Sequence, residues 1–365
     1  MDISSGRTIL PQEKRGRNGQ PMTQILAVTC MRDEGPYAAE WIAHLLAVGI
    51  GHVLVYSHDC ADGTDRLLDL MAASGRVTHV PFAAEGNKSV QWQALRLADK
   101  HPLVRAADWV IFLDADECPV FDAPLTGFTD LIAALPEETE AVALPWRLFG
   151  SAGKEQFEEG LTPERFTRAA PADVLLPAAH FFKSLIRPRA FQKLGVHRPK
   201  NKKETAPRWS LGGALDLDPP FATDDSRINL FGYNTPAAKA RLNHYSLRSA
   251  EEFLAKRARG LPNQKGKPVD LGYWAERNFN SVEDISFARH LPAMKEKLAE
   301  LLALSGVADA ITQARDCHKA QIARLLTEPA NARLLWHMML FAGSTPPSRE
   351  ALERHIKRLN APEPS

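Results

Sequence analysis

Acidic side chains follow three apolar, strand-like runs in the first third of the chain. The first loop carries Asp33 and Glu34, the second carries Asp59 and Asp62, and the third is the acidic sequence Asp114–Glu117. The carboxyl ends of parallel strands meet at one edge of an α/β sheet, so we expect these loops to line one crevice. Carboxylate oxygens suit Mg2+ and Mn2+, which commonly bridge to substrate phosphates. The loops therefore predict a cation-assisted nucleotide site.

The third loop carries the most specific of the three acidic sequences. Asp114 and Asp116 are alternate residues leaving a strand, so both carboxylates point towards the same side if the extended geometry continues through Asp116. Like charges held close together repel, and a divalent cation would remove that penalty. Glu117 adds a third acid. A solvated turn is the alternative, but the position after an interior strand favours metal and nucleotide binding.

Strands and helices alternate from Gln24 to Trp146, and these elements must position the three loops. Runs of β-branched residues alternate with stretches whose apolar residues recur at helical spacing, which is typical of a parallel α/β sheet. The first helix is predicted to begin at Pro36 and end at Gly49, because proline favours helix starts and glycine favours helix ends. We predict an α/β fold with an open, mainly parallel sheet flanked by helices and a mostly helical C-terminal region.

The periodicity is weaker in the second half of the chain. Gly160–Pro171 and Lys200–Pro220 are predicted to be loops. Ser249 and Glu252 form a capping-box pattern, which predicts that a helix begins there. The remainder of the chain, 281–360, is predicted to be helical.

Composition and charge limit the classes of function. The chain has 365 residues, 44% of them hydrophobic, and carries 45 Lys and Arg against 44 Asp and Glu. These values are typical of a soluble globular protein and do not favour nucleic acid as a partner. The four cysteines are scattered without a CxxC pair, so neither a zinc site nor a disulfide framework is predicted, and a reducing cytoplasm fits best. The longest apolar stretch, Trp41–Tyr56, is interrupted and too short to span a bilayer, although peripheral membrane contact stays open.

Three motifs, in this order, carry a resemblance to a known family. They are Arg-Asp-Glu-Gly at 32–35, Ser-His-Asp-Cys-Ala-Asp-Gly-Thr at 57–64 and Phe-Leu-Asp-Ala-Asp-Glu at 112–117. The chain resembles a family 2-type glycosyltransferase with the GT-A fold, in the branch that has an Arg-Asn-Glu-Gly start and an Asp-x-Asp-Glu sequence. The similarity covers about two thirds of the chain, from Ile25 to about Ala288, and continues at Trp146, Phe149, Gly150, Lys183–Pro188, His244, Tyr245, Ser249, Phe253, Lys256 and Gly260.

The resemblance implies a metal-assisted transfer of a sugar. It places Asp114 and Asp116 beside a Mn2+ or Mg2+ ion that binds the diphosphate of a UDP- or GDP-linked sugar. It also implies that His244 is a third metal ligand, although a lone histidine is more often structural. The chain departs from the family pattern at Asp33, where asparagine is usual, and an amide donor is thereby replaced by an acceptor-only carboxylate. Recognition of the base is therefore expected to differ.

The resemblance also supplies candidate binding residues. Those predicted to bind the nucleotide-sugar donor are Arg32, Asp33, Glu34, Asp59, Asp62, Asp114 and Lys256. Those predicted to bind substrate are Glu117, Trp146, Lys183 and His197. Trp146 and His197 can form a stacking face for a sugar ring, with core packing of Trp146 as the alternative, and Lys256 can equally complement a helix dipole. The catalytic base is unassigned, because spacing does not distinguish the acids Glu155, Glu158, Glu159 and Asp173.

The predicted function is transfer of a hexosyl or related group to a hydroxyl acceptor, which is a glycan, a polysaccharide or a lipid-linked molecule, in the cytoplasm or at a membrane surface. The predicted domains are a flexible tail at 1–22, a glycosyltransferase domain at 23–262 with nucleotide half 23–146 and acceptor half 147–262, and a helical extension at 263–365. A phosphohydrolase of the haloacid dehalogenase type is one alternative, but it would need its acidic motif near the first strand and Thr or Val at Cys118. A non-catalytic nucleotide-sugar or glycan-binding protein is the other.

Overall fold

The computed structural model describes residues 23–86, 88–203, 205–260 and 269–359, so the predicted tail lies outside the described residues. The strands are β1 Ile25–Met31, β2 His52–Ser57, β3 Val77–Pro81, β4 Trp109–Phe112, β5 Glu117–Phe121, β6 Ala141–Leu148, β7 Arg168–Ala169, β8 Phe182–Ile186, β9 Phe191–Lys193, β10 Lys200–Asn201, β11 Trp209–Leu211, β12 Leu215–Asp216, β13 Ala240–His244 and β14 Val282–Glu283. The α-helices are α1 Gly35–Ala47, α2 Thr64–Ala72, α3 Val90–Ala98, α4 Pro102–Ala106, α5 Phe128–Ala133, α6 Thr162–Arg165, α7 Pro219–Thr223, α8 Ala250–Arg259, α9 Leu271–Ala275, α10 Leu291–Leu302, α11 Val307–Leu326, α12 Pro329–Leu340 and α13 Arg349–Leu359. Short 3-10 helices cover Pro177–His180, Pro188–Ala190, Thr235–Ala237 and Ser286–His290.

The main sheet has the strand order β12-β11-β6-β8-β4-β1-β2-β3, and the pair β13-β5 attaches through β13 to β6. Strands β4, β1, β2 and β3 run parallel to one another. Strand β8 is antiparallel to both of its neighbours, β4 and β6. The predicted α/β class, with a mainly parallel sheet flanked by helices and a helical C-terminal region, is confirmed.

Strand β1 lies at the centre of the parallel half and is buried over its full length. Ile25 and Ala27 face a core shared with α1 and α2, whereas Leu26 and Val28 face the core that α3 helps to form. Alternate residues of a strand point to opposite faces, so a strand covered by helices on both sides is apolar at every position. The continuous apolar run that ends at the first acidic loop is explained by this burial.

Helix boundaries follow the local signals closely. Helix α1 has Pro36 in its first turn, and Gly49 follows its end with φ +97°, a conformation that favours glycine. Helix α8 begins with a complete capping box, in which Ser249 accepts from the Glu252 N–H and the Glu252 side chain accepts from the Ser249 N–H. Both predicted helix starts are confirmed.

Three segments differ from the prediction. Lys200–Pro220, predicted to be a loop, contains β11, whose buried Trp209 begins a short parallel pairing with β6. Gly160–Pro171 contains α6 and β7 rather than only loop. Glu117–Phe121, for which no strand was predicted, is β5 and pairs with β13. Elements of two to five residues are too short to show a period, so pairing with distant strands decides them.

The C-terminal helices pack on the helices that flank the parallel half of the sheet. Helices α10 and α11 both contact α1, and α11 and α12 both contact α8. No helix in the described parts of the chain is long and apolar enough to cross a membrane.

Candidate functional site

A pocket of about 240 Å3 opens at the carboxyl edge of the sheet. Loops after β1 and β4, the ends of β6 and β13, helix α8 and the segment around α9 all contribute to its wall. Its lining among the described residues is Cys30, Glu34, Gln91, Asp114, Ala115, Asp116, Trp146, Phe181, Val196, His197, Ile228, His244, Lys256, Arg259, Tyr273 and Arg277. Acidic, cationic and aromatic side chains therefore meet where the sequence predicts a crevice.

The acidic sequence after β4 is a turn rather than an extended segment. The Glu117 N–H donates to the Asp114 carbonyl at 3.0 Å, and the Asp114 N–H donates to a Glu117 side-chain oxygen at 2.9 Å. The expectation that extended geometry continues through Asp116 is therefore wrong. Both aspartates still line the pocket, but their carboxylates contact different partners.

Asp114 forms an ion pair with a buried lysine. Its carboxylate accepts from the Gln91 side-chain amide at 2.5 Å and from Lys183 Nζ at 2.8 Å. Lys183 is fully buried, and its Nζ also lies 3.4 Å from Glu117. Burial, opposed by Lys183 and assisted by the charges of Asp114 and Asp116, raises the pKa of Glu117 to about 8. Lys183 therefore neutralises Asp114, while Glu117 stays protonated near pH 7.

Glu117 and Lys183 were predicted to bind substrate, but neither lines the pocket. Both side chains are 0% exposed and lie beneath Asp114. A residue in that position can orient Asp114 without touching a ligand. Local spacing could not show this, because Lys183 lies on β8, which inserts between β4 and β6.

Asp116 has a separate set of partners. Its carboxylate accepts from Lys256 Nζ at 2.7 Å and lies 3.5 Å from His244 Nε2. Burial acts to raise the pKa of Asp116, but Lys256 and His244 hold it well below its usual range. Burial lowers the pKa of His244 despite the opposing charge of Asp116. The pocket therefore holds a charged carboxylate beside a neutral imidazole.

These residues can be tested for their fit to a divalent ion. An ion that binds with a diphosphate commonly takes one or two protein ligands and completes its coordination with phosphates and water. The charged Asp116 and the neutral His244 fit that role if the ion displaces Lys256 from Asp116, whereas Asp114 is held by Gln91 and by Lys183, which is buried and does not line the pocket. Among the residues that the structure describes, no group of three or more His, Cys, Asp or Glu side chains is placed to hold a metal ion. Asp116 and His244 therefore fit a divalent ion that binds together with a diphosphate, which would supply further coordinating oxygens.

Two of the predicted donor-binding acids interact with backbone amides instead. Asp62 accepts from the Gly35 N–H and the Thr64 N–H, both at 2.9 Å, and so links the start of α1 to the start of α2. Asp33 accepts from the Ala61 N–H at 2.7 Å. These contacts hold the loops after β1 and β2 together, and neither acid lines the pocket described above.

The other residues of these loops differ in exposure. The Asp59 side chain is 63% exposed and lies 3.2 Å from His58. Arg32 is exposed at the rim, and its guanidinium donates to the Arg259 carbonyl at 3.3 Å. Glu34 lines the pocket and accepts a hydrogen bond from Arg259, while its second side-chain oxygen, Oε2, is buried without a hydrogen bond and lies 3.7 Å from Arg248 Nη1. Of the first two acidic loops, Glu34 is the residue that reaches this pocket.

Aromatic side chains also line the pocket. The Trp146 ring packs on His244 with centroids 4.1 Å apart, and Phe181 stacks on His197 at 5.3 Å. His197 Nδ1 lies 3.0 Å from the Phe182 carbonyl, so it donates there. Burial, with a contribution from Lys183, lowers the pKa of His197 to about 4 and keeps the ring neutral. Both predicted stacking residues, Trp146 and His197, therefore lie in the pocket.

Several pocket residues were missed by the sequence reasoning. Gln91 is a polar residue on the otherwise apolar buried face of α3, and that mismatch was an available signal. Tyr273 and Arg277 lie around α9, in the predicted C-terminal extension, where no motif marked them. Contacts over such sequence separations leave no local pattern.

The acids considered as catalytic bases do not reach this pocket. Glu158 pairs with Lys154 at 2.5 Å, and Glu159 pairs with Lys319 at 2.6 Å. Glu155 and Asp173 are exposed and do not line the pocket. The base therefore stays unassigned.

A hydrogen-bonded Ser-His-Asp chain lies outside the pocket. Ser57 and His79 Nε2 are 2.7 Å apart, and His79 Nδ1 lies 2.7 Å from Asp69. A nucleophile must reach its substrate, but Ser57 is 0% exposed. These three hydrogen-bonded side chains therefore link β2, β3 and α2, and they do not favour a hydrolase function.

The fold is an α/β fold with a polar pocket at the carboxyl edge of its sheet, and a family comparison gives the class of the protein. The model of glycosyltransferase family 92 matches residues 29–212, just over half of the chain, so the chain belongs to glycosyltransferase family 92. The resemblance to a glycosyltransferase is therefore confirmed, while the family is 92 rather than family 2. No curated protein matches the sequence.

Solved structures show only distant similarity. S. aureus TarS in complex with UDP is 12% identical, with a TM-score of 0.29, over 46% of this chain and 48% of that chain. Glucosyl-3-phosphoglycerate synthase from Mycobacterium tuberculosis, crystallised with Mn2+, UDP and glucosyl-3-phosphoglycerate, is 17% identical, with a TM-score of 0.23, over 34% of this chain and 44% of that chain. The matched region thus spans less than half of either protein, and similarity of this size does not by itself indicate a shared substrate.

Proposed function

We propose that this chain transfers a sugar from a UDP- or GDP-linked donor to a hydroxyl group on a glycan, polysaccharide or lipid-linked acceptor, with Mn2+ or Mg2+ as cofactor. The supporting observation is the meeting of Asp116, His244 and Lys256 in one pocket at the carboxyl edge of the sheet. A cytoplasmic or membrane-peripheral location, and the division into nucleotide half, acceptor half and C-terminal extension, belong to the same proposal. Membership of a glycosyltransferase family supports the reaction class.

The diphosphate is assigned to the charged side of the pocket. Lys256 lies 2.7 Å from Asp116 and can donate to a phosphate oxygen when the ligand displaces that contact. Asp116 and His244 would hold the divalent ion, which when bound supplies charge stabilisation of the leaving diphosphate. Asp114 lies next to them, oriented by Gln91 and Lys183.

The nucleoside and the acceptor are assigned to different walls. Glu34 Oε2 makes no hydrogen bond in the structure, although it lies 3.7 Å from Arg248, and it can accept from a ribose hydroxyl or a base N–H. Arg32, Asp33, Asp59 and Asp62 would support this end, directly from the rim or by fixing the two loops. The sugar and acceptor would stack against Trp146 and the His197–Phe181 pair, because sugar rings bind well against aromatic faces.

Calorimetric titration of UDP and GDP, each with and without Mn2+, tests the proposal. We expect one diphosphate to bind, and to bind more tightly with Mn2+. Asp116→Asn should weaken binding at least tenfold and abolish the effect of Mn2+, because it replaces a charged ligand with a neutral amide. The exposed Asp173→Asn variant is the control and should bind like the parent protein.

Three results test this proposal against its rivals. Unchanged, Mn2+-enhanced binding in Asp116→Asn would contradict the metal assignment. Slow release of UDP or GDP from a nucleotide sugar, lost in the same variant, would distinguish an enzyme from a non-catalytic binding protein. Failure of the parent protein to bind either diphosphate would contradict the donor class.

A further inference from the structure

Arg277 is a pocket residue that belongs to none of the predicted motifs. It lies after α9, beyond the segment matched by the family model, and it lines the pocket together with Tyr273. The residue is 7% exposed, and its guanidinium carbon lies 3.8 Å from the centroid of the Tyr273 ring. Its Nε is buried and has no hydrogen-bond partner among the described residues. A buried guanidinium with an unused donor indicates that a ligand oxygen completes its hydrogen bonding.

The charge balance of the pocket distinguishes Arg277 from the other cations that line it. Lys256 pairs with Asp116, and Arg259 pairs with Glu34, so each has an acidic partner in the same pocket. The acid beside Arg277 is Glu276 at 3.3 Å, but its side chain is 68% exposed and does not line the pocket. An exposed pair of this kind contributes little, so within the part of the chain that the structure describes the charge of Arg277 faces the pocket without a buried counter-charge.

The backbone around Arg277 is held in place on two sides. Trp274 Nε1 and the Asn278 side chain both donate to the Phe341 carbonyl at 3.0 Å, at the end of α12. The Asn278 side-chain oxygen accepts from the Ser151 N–H at 2.8 Å, in the loop after β6. The C-terminal helices therefore position Arg277 relative to the sheet, and the guanidinium is ordered before a ligand arrives.

Arg277 also acts at the same place as the proposed diphosphate site. It lines the same pocket as His244, the imidazole beside Asp116. A planar guanidinium with free donors suits phosphate oxygens, which it can contact through two parallel hydrogen bonds. We propose that Arg277 binds a phosphate group of the ligand, so that the C-terminal region completes the binding site. This inference rests on the proposed function for its choice of ligand.

The phosphate can come from the donor diphosphate or from a phosphate-bearing acceptor. If it is the donor's terminal phosphate, Arg277 strengthens binding of UDP or GDP but not of UMP or GMP. If it belongs to the acceptor, inorganic phosphate binds to protein that is already saturated with UDP or GDP, and this second binding event requires Arg277. Loss of Arg277 is therefore expected to weaken binding of the nucleoside diphosphate if the phosphate is the donor's, and binding of the added inorganic phosphate if it is the acceptor's.

The test compares the full chain with Arg277→Met, Arg277→Lys and the control Glu276→Gln by calorimetry. Arg277→Met should weaken binding of the tighter diphosphate, and of inorganic pyrophosphate, at least tenfold, which corresponds to about 1.4 kcal/mol. Arg277→Lys keeps the charge but loses the fork of donors, so a smaller loss is expected. Glu276→Gln should bind like the parent protein, because its carboxylate faces solvent.

The outcomes separate this inference from the proposed function. Parent and Arg277→Met proteins that bind diphosphate, pyrophosphate and added phosphate equally would overturn the inference. A parent protein that binds neither UDP nor GDP would contradict the donor class, and the pyrophosphate comparison alone would then decide: a loss in Arg277→Met supports the inference, and equal or absent binding overturns it. If Arg277→Met unfolds at a lower temperature than the parent, Arg277→Lys decides by the same criteria.

Discussion

The loops after β1 and β2 and the turn after β4 all carry aspartates, but these aspartates have different hydrogen-bond partners. In the first two loops, Asp62 accepts from the Gly35 and Thr64 amides, and Asp33 accepts from the Ala61 amide. Carboxylates bound to backbone N–H groups fix the path of the chain, because those amides have no other partner at a helix start. These acids therefore build the edge of the site more than its interior.

In the turn after β4 the carboxylates contact ammonium groups instead. Asp114 accepts from Lys183, and Asp116 accepts from Lys256, at 2.8 and 2.7 Å. Ammonium groups hold an acid in its charged form inside a pocket. In this molecule the acids that accept from amides hold loops together, whereas the two aspartates that contact lysines line the pocket.

Removal of the buried lysine should have the largest effect on stability in this comparison. Lys183→Met keeps most of the volume but leaves Asp114 without its cation, so we expect a loss of about 3 kcal/mol in the free energy of unfolding. The matched control is Lys295→Met, whose side chain is 54% exposed and whose Glu164 partner lies at 2.6 Å and is 40% exposed, and it should cost less than about 1 kcal/mol. Chemical denaturation measures both, and equal losses would contradict the distinction between buried and exposed pairs.

Removal of the amide-binding acid should come next. Asp62→Ala leaves the Gly35 and Thr64 amides without their acceptor, so we expect a loss of about 2 kcal/mol in the free energy of unfolding. Binding of the diphosphate should change less than threefold, because Asp62 does not line the pocket. A variant of parental stability that had lost donor binding would show instead that Asp62 contacts the nucleotide.

The pH dependence of the free energy of unfolding should reveal the raised pKa of Glu117. Its pKa is raised to about 8 in the folded chain, against an ordinary value of 4.5, so the native state binds more protons than the unfolded state between these values. The free energy of unfolding must then fall as pH rises through that window, by on the order of 1 kcal/mol per pH unit at most. Glu117→Gln should flatten this fall relative to the exposed control Glu138→Gln, as measured by denaturation at pH 6 and pH 8. Parallel pH profiles for the two variants would rule out the raised pKa.

The smallest effect is expected at the exposed acid of the second loop. Asp59→Asn keeps a residue that tolerates the positive φ of +47°, so stability should change by less than about 0.5 kcal/mol. If Asp59 contacts the ribose, diphosphate affinity should fall about threefold, the size of one net hydrogen bond. A loss of stability comparable to that of Asp62→Ala would mean that the two acids of this loop share one structural role.

The amino-acid sequence by itself determined the α/β class, the strands β1 and β2, the start of α1, the capping box of α8 and the position of three acidic loops at one edge. Burial periodicity and helix caps are local, so they can be read from neighbouring residues. Only the tertiary structure decided the partners: Lys183 lies 69 residues from Asp114, and Lys256 lies 140 residues from Asp116. Arg277 enters the pocket because α12 and the loop after β6 hold its segment there. Contacts of this kind depend on how β8 inserts into the sheet and how the C-terminal helices pack, and no local pattern records them.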